Sequence, residues 1–131
     1  MPIQRLDAVY IDERLTPDNV DELCELMKLH FDGHGCTLIY VHPIHRDGTP
    51  SETVVPGAWL SNMHTHHAAA DRATLHFETN FGLYTAPIGI GDPRTSEDGL
   101  DRAATLTIQN GCAVLGHNEK NGRHILAIVP Q

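Results

Sequence analysis

The sequence predicts a single α+β domain over residues 1–131, in which one N-terminal amphipathic helix packs on a mainly antiparallel, barrel-like sheet that ends in a three-stranded meander. Three observations carry this expectation. Thr16, Pro17 and Gly33 bracket a run of apolar residues at helical spacing. Asn110-Gly111 and Asn121-Gly122 are two-residue hairpin turns set between extended-favouring segments. A length of 131 residues gives one domain of ordinary size, burying roughly two thirds of its unfolded surface, and leaves no room for a second.

Residues 3–11 alternate modestly and stop at charges before Thr16, which predicts a first strand. Thr16 then serves as N-cap with Pro17 at the first helical position, Asp18, Asp21 and Glu22 in the opening turns, and Gly33 past the end. Val20, Leu23, Cys24, Met27 and Phe31 form one apolar face and turn Glu25 and Lys28 to water. Cys24 on that face is core.

Residues 36–41 are a short apolar run after glycines, which predicts a buried strand delivering His42 and His45 into a loop with two prolines and Asp47-Gly48. From Thr53 the chain is extended again through Val54, Val55, Ala58, Trp59 and Leu60, with Pro56 marking an edge or a bulge. That strand runs on into residues 62–67, Asn-Met-His-Thr-His-His. Extended backbone turns His64 and His66 to one face, and Thr65 and His67 to the other.

Residues 68–72 suit a turn or a single helical turn, after which Ala73, Leu75 and Phe77 alternate with Thr74, His76 and Glu78. His76 and Glu78 therefore share the polar face. Residues 80–82 make a hairpin loop returning through residues 83–86, and residues 87–99 form an irregular connection. The glycines at 89 and 91 lack the lysine and helix signal of a phosphate loop.

The meander occupies residues 103–129. Registering it on the two Asn-Gly turns pairs Gln109 with Cys112, Leu106 with Leu115, Lys120 with Arg123, Glu119 with His124, and Leu115 with Ile128. One face then carries Leu106, Ile108, Leu115, Leu126 and Ile128, with His117, Glu119 and His124 at its far end.

Composition narrows the function. The balance of 40% hydrophobic and 20% charged residues is that of a soluble globular domain. A net charge of −8 opposes binding to nucleic acid and to anionic lipid. No apolar run is long enough for a membrane span and the first residues lack a signal-peptide pattern, so a cytoplasmic location is expected. Cys24, Cys36 and Cys112 lack a Cys-x-x-Cys pair and are expected to be reduced. None of the three serines sits in a Gly-x-Ser-x-Gly elbow.

Ten histidines are the informative residues. Imidazole is the commonest metal ligand, and catalytic zinc takes three protein ligands and a water. The expected metal ligands are His64, His66, His117 and His124, with the third ligand to the close pair drawn from His117, His124, Glu78 or His42. The expected cofactor is a divalent metal, zinc favoured over iron or manganese. Glu78 or Glu119 would act as general base on the bound water. His30, His34 and His45 read as ordinary polar residues.

Two motif likenesses are partial. His64-Thr65-His66, after strand, helix and strand, resembles the layout of JAB/JAMM metalloproteases, but the downstream Ser and Asp of that pattern fall on Thr74 and Phe77, so the aspartate ligand is missing. Residues 57–71 are similar to the first cupin motif, with the glycine spacing off by one and Asp71 in place of Glu; the second motif is not found. Pro2 also resembles the N-terminal proline base of tautomerases, but Met1 precedes it and would block that amine.

The expected function is therefore a small divalent-metal enzyme, hydrolytic, acting on a small polar substrate. The rival is a non-enzymatic ligand-binding or assembly protein whose histidines line a pocket or a subunit interface. A homo-oligomer is expected from open sheet edges.

Overall fold

A computed structural model describes residues 10–42, 51–69, 72–90, 103–119 and 122–130. The elements run β1 (Ile11–Arg14), α1 (Val20–Phe31), β2 (Gly35–His42), β3 (Ser51–Trp59), β4 (Ser61–Ala69), β5 (Arg72–Thr79), β6 (Gly82–Gly89), β7 (Thr105–Gln109), β8 (Cys112–Glu119) and β9 (Gly122–Pro130). They form a six-stranded sheet of order β1-β7-β8-β9-β2-β3 and a three-stranded sheet of order β4-β5-β6, antiparallel at every pairing. The α+β class holds, with one helix on antiparallel sheets. The sheet does not close into a barrel; two open sheets take its place. The strand expected over residues 3–11 falls outside the described residues except at its end, where β1 begins, and the loop bearing His45 lies outside them too.

Helix α1 starts one turn later than its sequence signals suggest. The Asn19 side chain accepts from the Thr16 amide at 2.7 Å and donates to the Arg14 carbonyl at 2.9 Å, while Thr16 Oγ1 accepts from the Asn19 amide at 3.2 Å. Residues 16–19 are thereby held as a turn, and Asn19 becomes the N-cap in place of Thr16. Val20, Cys24, Met27 and Phe31 are buried as their spacing requires. Burial pushes the Cys24 and Cys36 thiols up to about 11, so both behave as small core hydrophobes.

The C-terminus of the helix fixes the path of the chain between the two sheets. Gly33 adopts a left-handed φ of 76°. Its amide donates to the Leu60 carbonyl at 2.7 Å, and the Leu60 amide donates to the His34 carbonyl at 3.2 Å. Leu60, fully buried, is the residue at which the chain leaves the larger sheet. The single strand expected from residue 53 through the histidines is therefore two strands in two sheets.

Asn62, at φ 55°, opens an irregularity in the β4–β5 register between Ser61 and His64. In β3, Pro56 lies on an edge strand beside Gly57 at φ 69°, within a register shift against β2, so both roles expected of that proline are met. Asn80 fastens the sheets together, accepting from the Trp59 amide at 2.8 Å and donating to the Gly57 carbonyl at 3.1 Å.

The β5–β6 hairpin buries Ala73, Leu75 and Phe77 as alternation demands. No helical turn occupies the described part of residues 68–72, where β4 reaches Ala69 and β5 starts at Arg72, and β6 extends three residues past Ala86. In the meander, Gln109↔Cys112 and Leu106↔Leu115 pair as expected. The second hairpin differs: β8 and β9 pair Glu119↔Gly122, His117↔His124 and Leu115↔Leu126, two residues out from the register set on Asn121-Gly122. A shift of two preserves every residue's face, so Leu106, Ile108, Leu115, Leu126 and Ile128 still enter the common core with Leu38, Phe77 and Met27.

Two predictions test this framework. No atom lies within 4 Å of a methyl group built on Gly33, so Gly33→Ala should cost only left-handed strain, about 1–2 kcal/mol in urea unfolding. An unchanged midpoint would show that the helix does not need this exit.

The second concerns Asp21, which accepts from Thr65 Oγ1 at 2.7 Å and His67 Nε2 at 3.0 Å and so ties α1 to β4. The Thr65 hydrogen bond, then that of His67, holds the Asp21 carboxyl below its usual value. A depressed carboxyl stabilises the fold above its unfolded pKa near 4 and stops doing so as pH falls through its folded value. Asp21→Asn should therefore lower stability at pH 7 by about 0.2–1 kcal/mol, the deficit closing below about pH 4 in parallel thermal melts. A deficit that persists at pH 3 would contradict the assignment.

Candidate functional site

The structure separates the expected ligands into two clusters, one on each sheet. His64 and His66 lie on β4 of the smaller sheet, whereas His117 and His124 face each other across β8 and β9 of the larger.

In the larger sheet, alternation along β2 buries Cys36, Leu38 and Tyr40 and brings His42, last residue of the strand, onto the same face. The β2–β9 pairing sets Tyr40 beside Leu126 and Val41 beside Ile125, so the next residues along, His42 and His124, come together. Their rings meet edge to face at 5.1 Å. His124 in turn stacks on His117 at 4.9 Å, with 4° between ring planes. Tyr40 stacks on His42 at 5.8 Å and on Tyr84 of β6 at 5.8 Å, and Tyr84 stacks on Phe77 at 5.7 Å. Six rings from five strands thus form one continuous file, apolar at one end and three imidazoles at the other.

Those imidazoles surround a cavity of about 30 Å³ lined also by Tyr40, Thr85 and Leu115. Such a volume admits one or two atoms of water size and no whole substrate. Burial is graded: His117 is 5% exposed, His124 half-buried and His42 exposed. The Tyr40 hydroxyl is buried without a hydrogen-bond partner, and burial pushes its ionisation upward, so it stays a donor through the neutral range.

In the smaller sheet, the β4–β5 register places His64 directly opposite His76 and His66 opposite Thr74. His64 stacks on His76 at 5.1 Å, and His66 meets His76 nearly edge-on at 6.3 Å. These rings and Glu78 lie on the outer face, away from buried Leu75 and Phe77. Thr65 and His67 point inward to Asp21, as the alternation predicts.

Among the described residues, no three His, Cys, Asp or Glu are arranged to hold a metal ion. Ring orientation explains this for the two stacked pairs. Imidazole lone pairs lie in the ring plane, and parallel, separated planes do not meet at an ion. Glu78 is exposed on β5, and the side chain of Glu119, at the end of β8, lies outside the described residues.

Three residues of these clusters carry too little local signal to be singled out from the sequence. His76 shares a face with Glu78, but its place opposite His64 needs the β4–β5 register. Alternation puts Tyr40 on the face of His42, but nothing local marks a tyrosine in an apolar strand as part of a site. Tyr84 has no local signal, because its contact with Tyr40 joins two sheets. Compared with protein-family models, with curated proteins and with solved structures, the chain matches none.

Proposed function

We propose that this protein binds a small molecule through an anionic group held at the pocket of His42, His117, His124 and Tyr40. The lining carries the reading: among the described residues, every polar side chain in it is a potential N–H or O–H donor, and none is a carboxylate. In a chain of net charge −8 that local composition favours an anion, not a cation. A carboxylate or phosphate oxygen accepting from Tyr40 Oη would relieve an unmade buried hydrogen bond, which costs about 1–3 kcal/mol. The cavity holds only the head of such a ligand, leaving its body over the ends of β2 and β8 and the start of β9.

Metal-dependent hydrolysis of a small polar substrate is the second reading. One observation favours it, the meeting of His64 and His66 with a third imidazole, and it gives Glu78 on the same face the part of general base.

Titrating acetate and inorganic phosphate into ¹⁵N-histidine-labelled protein tests the first reading. Both anions should move the His117 and His124 ring resonances saturably, and ethylammonium should not. Loss of a charge-assisted hydrogen bond worth about 1.5–3 kcal/mol should make Tyr40→Phe bind about 10- to 100-fold more weakly. Anions that leave both rings unmoved, or that bind Tyr40→Phe as tightly as the parent, would overturn it.

A further inference from the structure

We infer that the outer face of the three-stranded sheet is a metal site, in which His64, His66 and His76 take one divalent transition-metal ion and leave a coordination position open. Its three ligands are not lining residues of the anion pocket, although Thr85, which lines that pocket, pairs with His76 across β5 and β6. The site deepens the second reading by naming its ligands.

Register is the first support. Side chains directly opposite on antiparallel strands stand about 4.5–5.5 Å apart at Cβ, and diagonal neighbours about 7–8 Å. His64 and His76 are such a direct pair, and His66, two pairings further along and opposite Thr74, is diagonal to His76. Three imidazoles from two adjacent strands thus share one patch of solvent-facing sheet, two of them exposed.

The second support is the tautomer of His64. Its Nδ1 lies 2.9 Å from the Asn62 carbonyl oxygen. A carbonyl only accepts, so Nδ1 carries the proton and the neutral ring keeps its lone pair on Nε2. Metal-ligating histidines are commonly fixed in this way by a backbone carbonyl on the far nitrogen. Here the carbonyl is presented by the left-handed Asn62 at the β4 irregularity.

In the arrangement seen, the His64 and His76 planes differ by 11° and are stacked, so one ring must turn for three nitrogens to meet. An off-rotamer side chain costs about 0.5–1.5 kcal/mol, and His64 and His66 are exposed to solvent. Three imidazoles and a water are a catalytic zinc ligand set, and imidazole selects zinc, copper or nickel over magnesium or calcium.

The test is zinc and nickel titration of the untagged full chain, by calorimetry and by imidazole ¹⁵N resonances. One equivalent should bind, shifting His64, His66 and His76 together. His64→Ala and His76→Gln, with folding checked by circular dichroism, should each weaken binding at least 10-fold, while substitution of the exposed His34 by glutamine, His34→Gln, leaves it unchanged. Magnesium should not compete. Absence of binding up to 1 mM zinc, on the order of the weakest affinity that would matter here, would overturn the proposal. So would binding that survives His76→Gln, or binding that His34→Gln abolishes.

Discussion

Two backbone hydrogen bonds at Leu60 decide how the rest of this chain is arranged. Gly33 donates to its carbonyl and its own amide donates to His34, so the exit of α1 captures the chain where it leaves β3. There Trp59 ends the larger sheet, Ser61 begins the smaller, and α1 packs on β4 through Asp21, Thr65 and His67. The φ of 55° at Asn62 then sets the parity of β4, turning His64 and His66 out to solvent and Thr65 and His67 in to the helix. One left-handed glycine and one buried leucine thereby govern the address of every histidine in residues 64–67.

Features governed by neighbours in sequence are legible without the structure. The helical face of Val20, Cys24, Met27 and Phe31, the alternation of Ala73, Leu75 and Phe77, and the first Asn-Gly hairpin all follow from local periods and turn chemistry. The second hairpin is misplaced by two residues because Asn121-Gly122 looks like the turn, yet the ladder closes on Glu119↔Gly122. An even slip leaves faces intact, which is why the apolar face and its terminal His117 and His124 are still found together.

The features hidden from the sequence depend on contacts between distant segments. Leu60 carries no turn signal, and its role exists only through residues 33 and 34. The meeting of His42 with His124 needs the β2–β9 pairing, across more than eighty residues of chain. The two clusters then show how environment divides one residue type. On the larger sheet the imidazoles close a small recess with a buried, unpartnered tyrosine hydroxyl, while on the smaller they line an open face with one ring's proton fixed by a carbonyl.

Whether the recess under His42, His117 and His124 receives an anion is decided most simply by anomalous diffraction from crystals soaked in sodium bromide. A bromide peak is expected in the cavity within about 3.5 Å of Tyr40 Oη, the outer range for a hydrogen-bonded partner. A cavity holding only water, in crystals whose surface sites are occupied by bromide, would refute anion binding there.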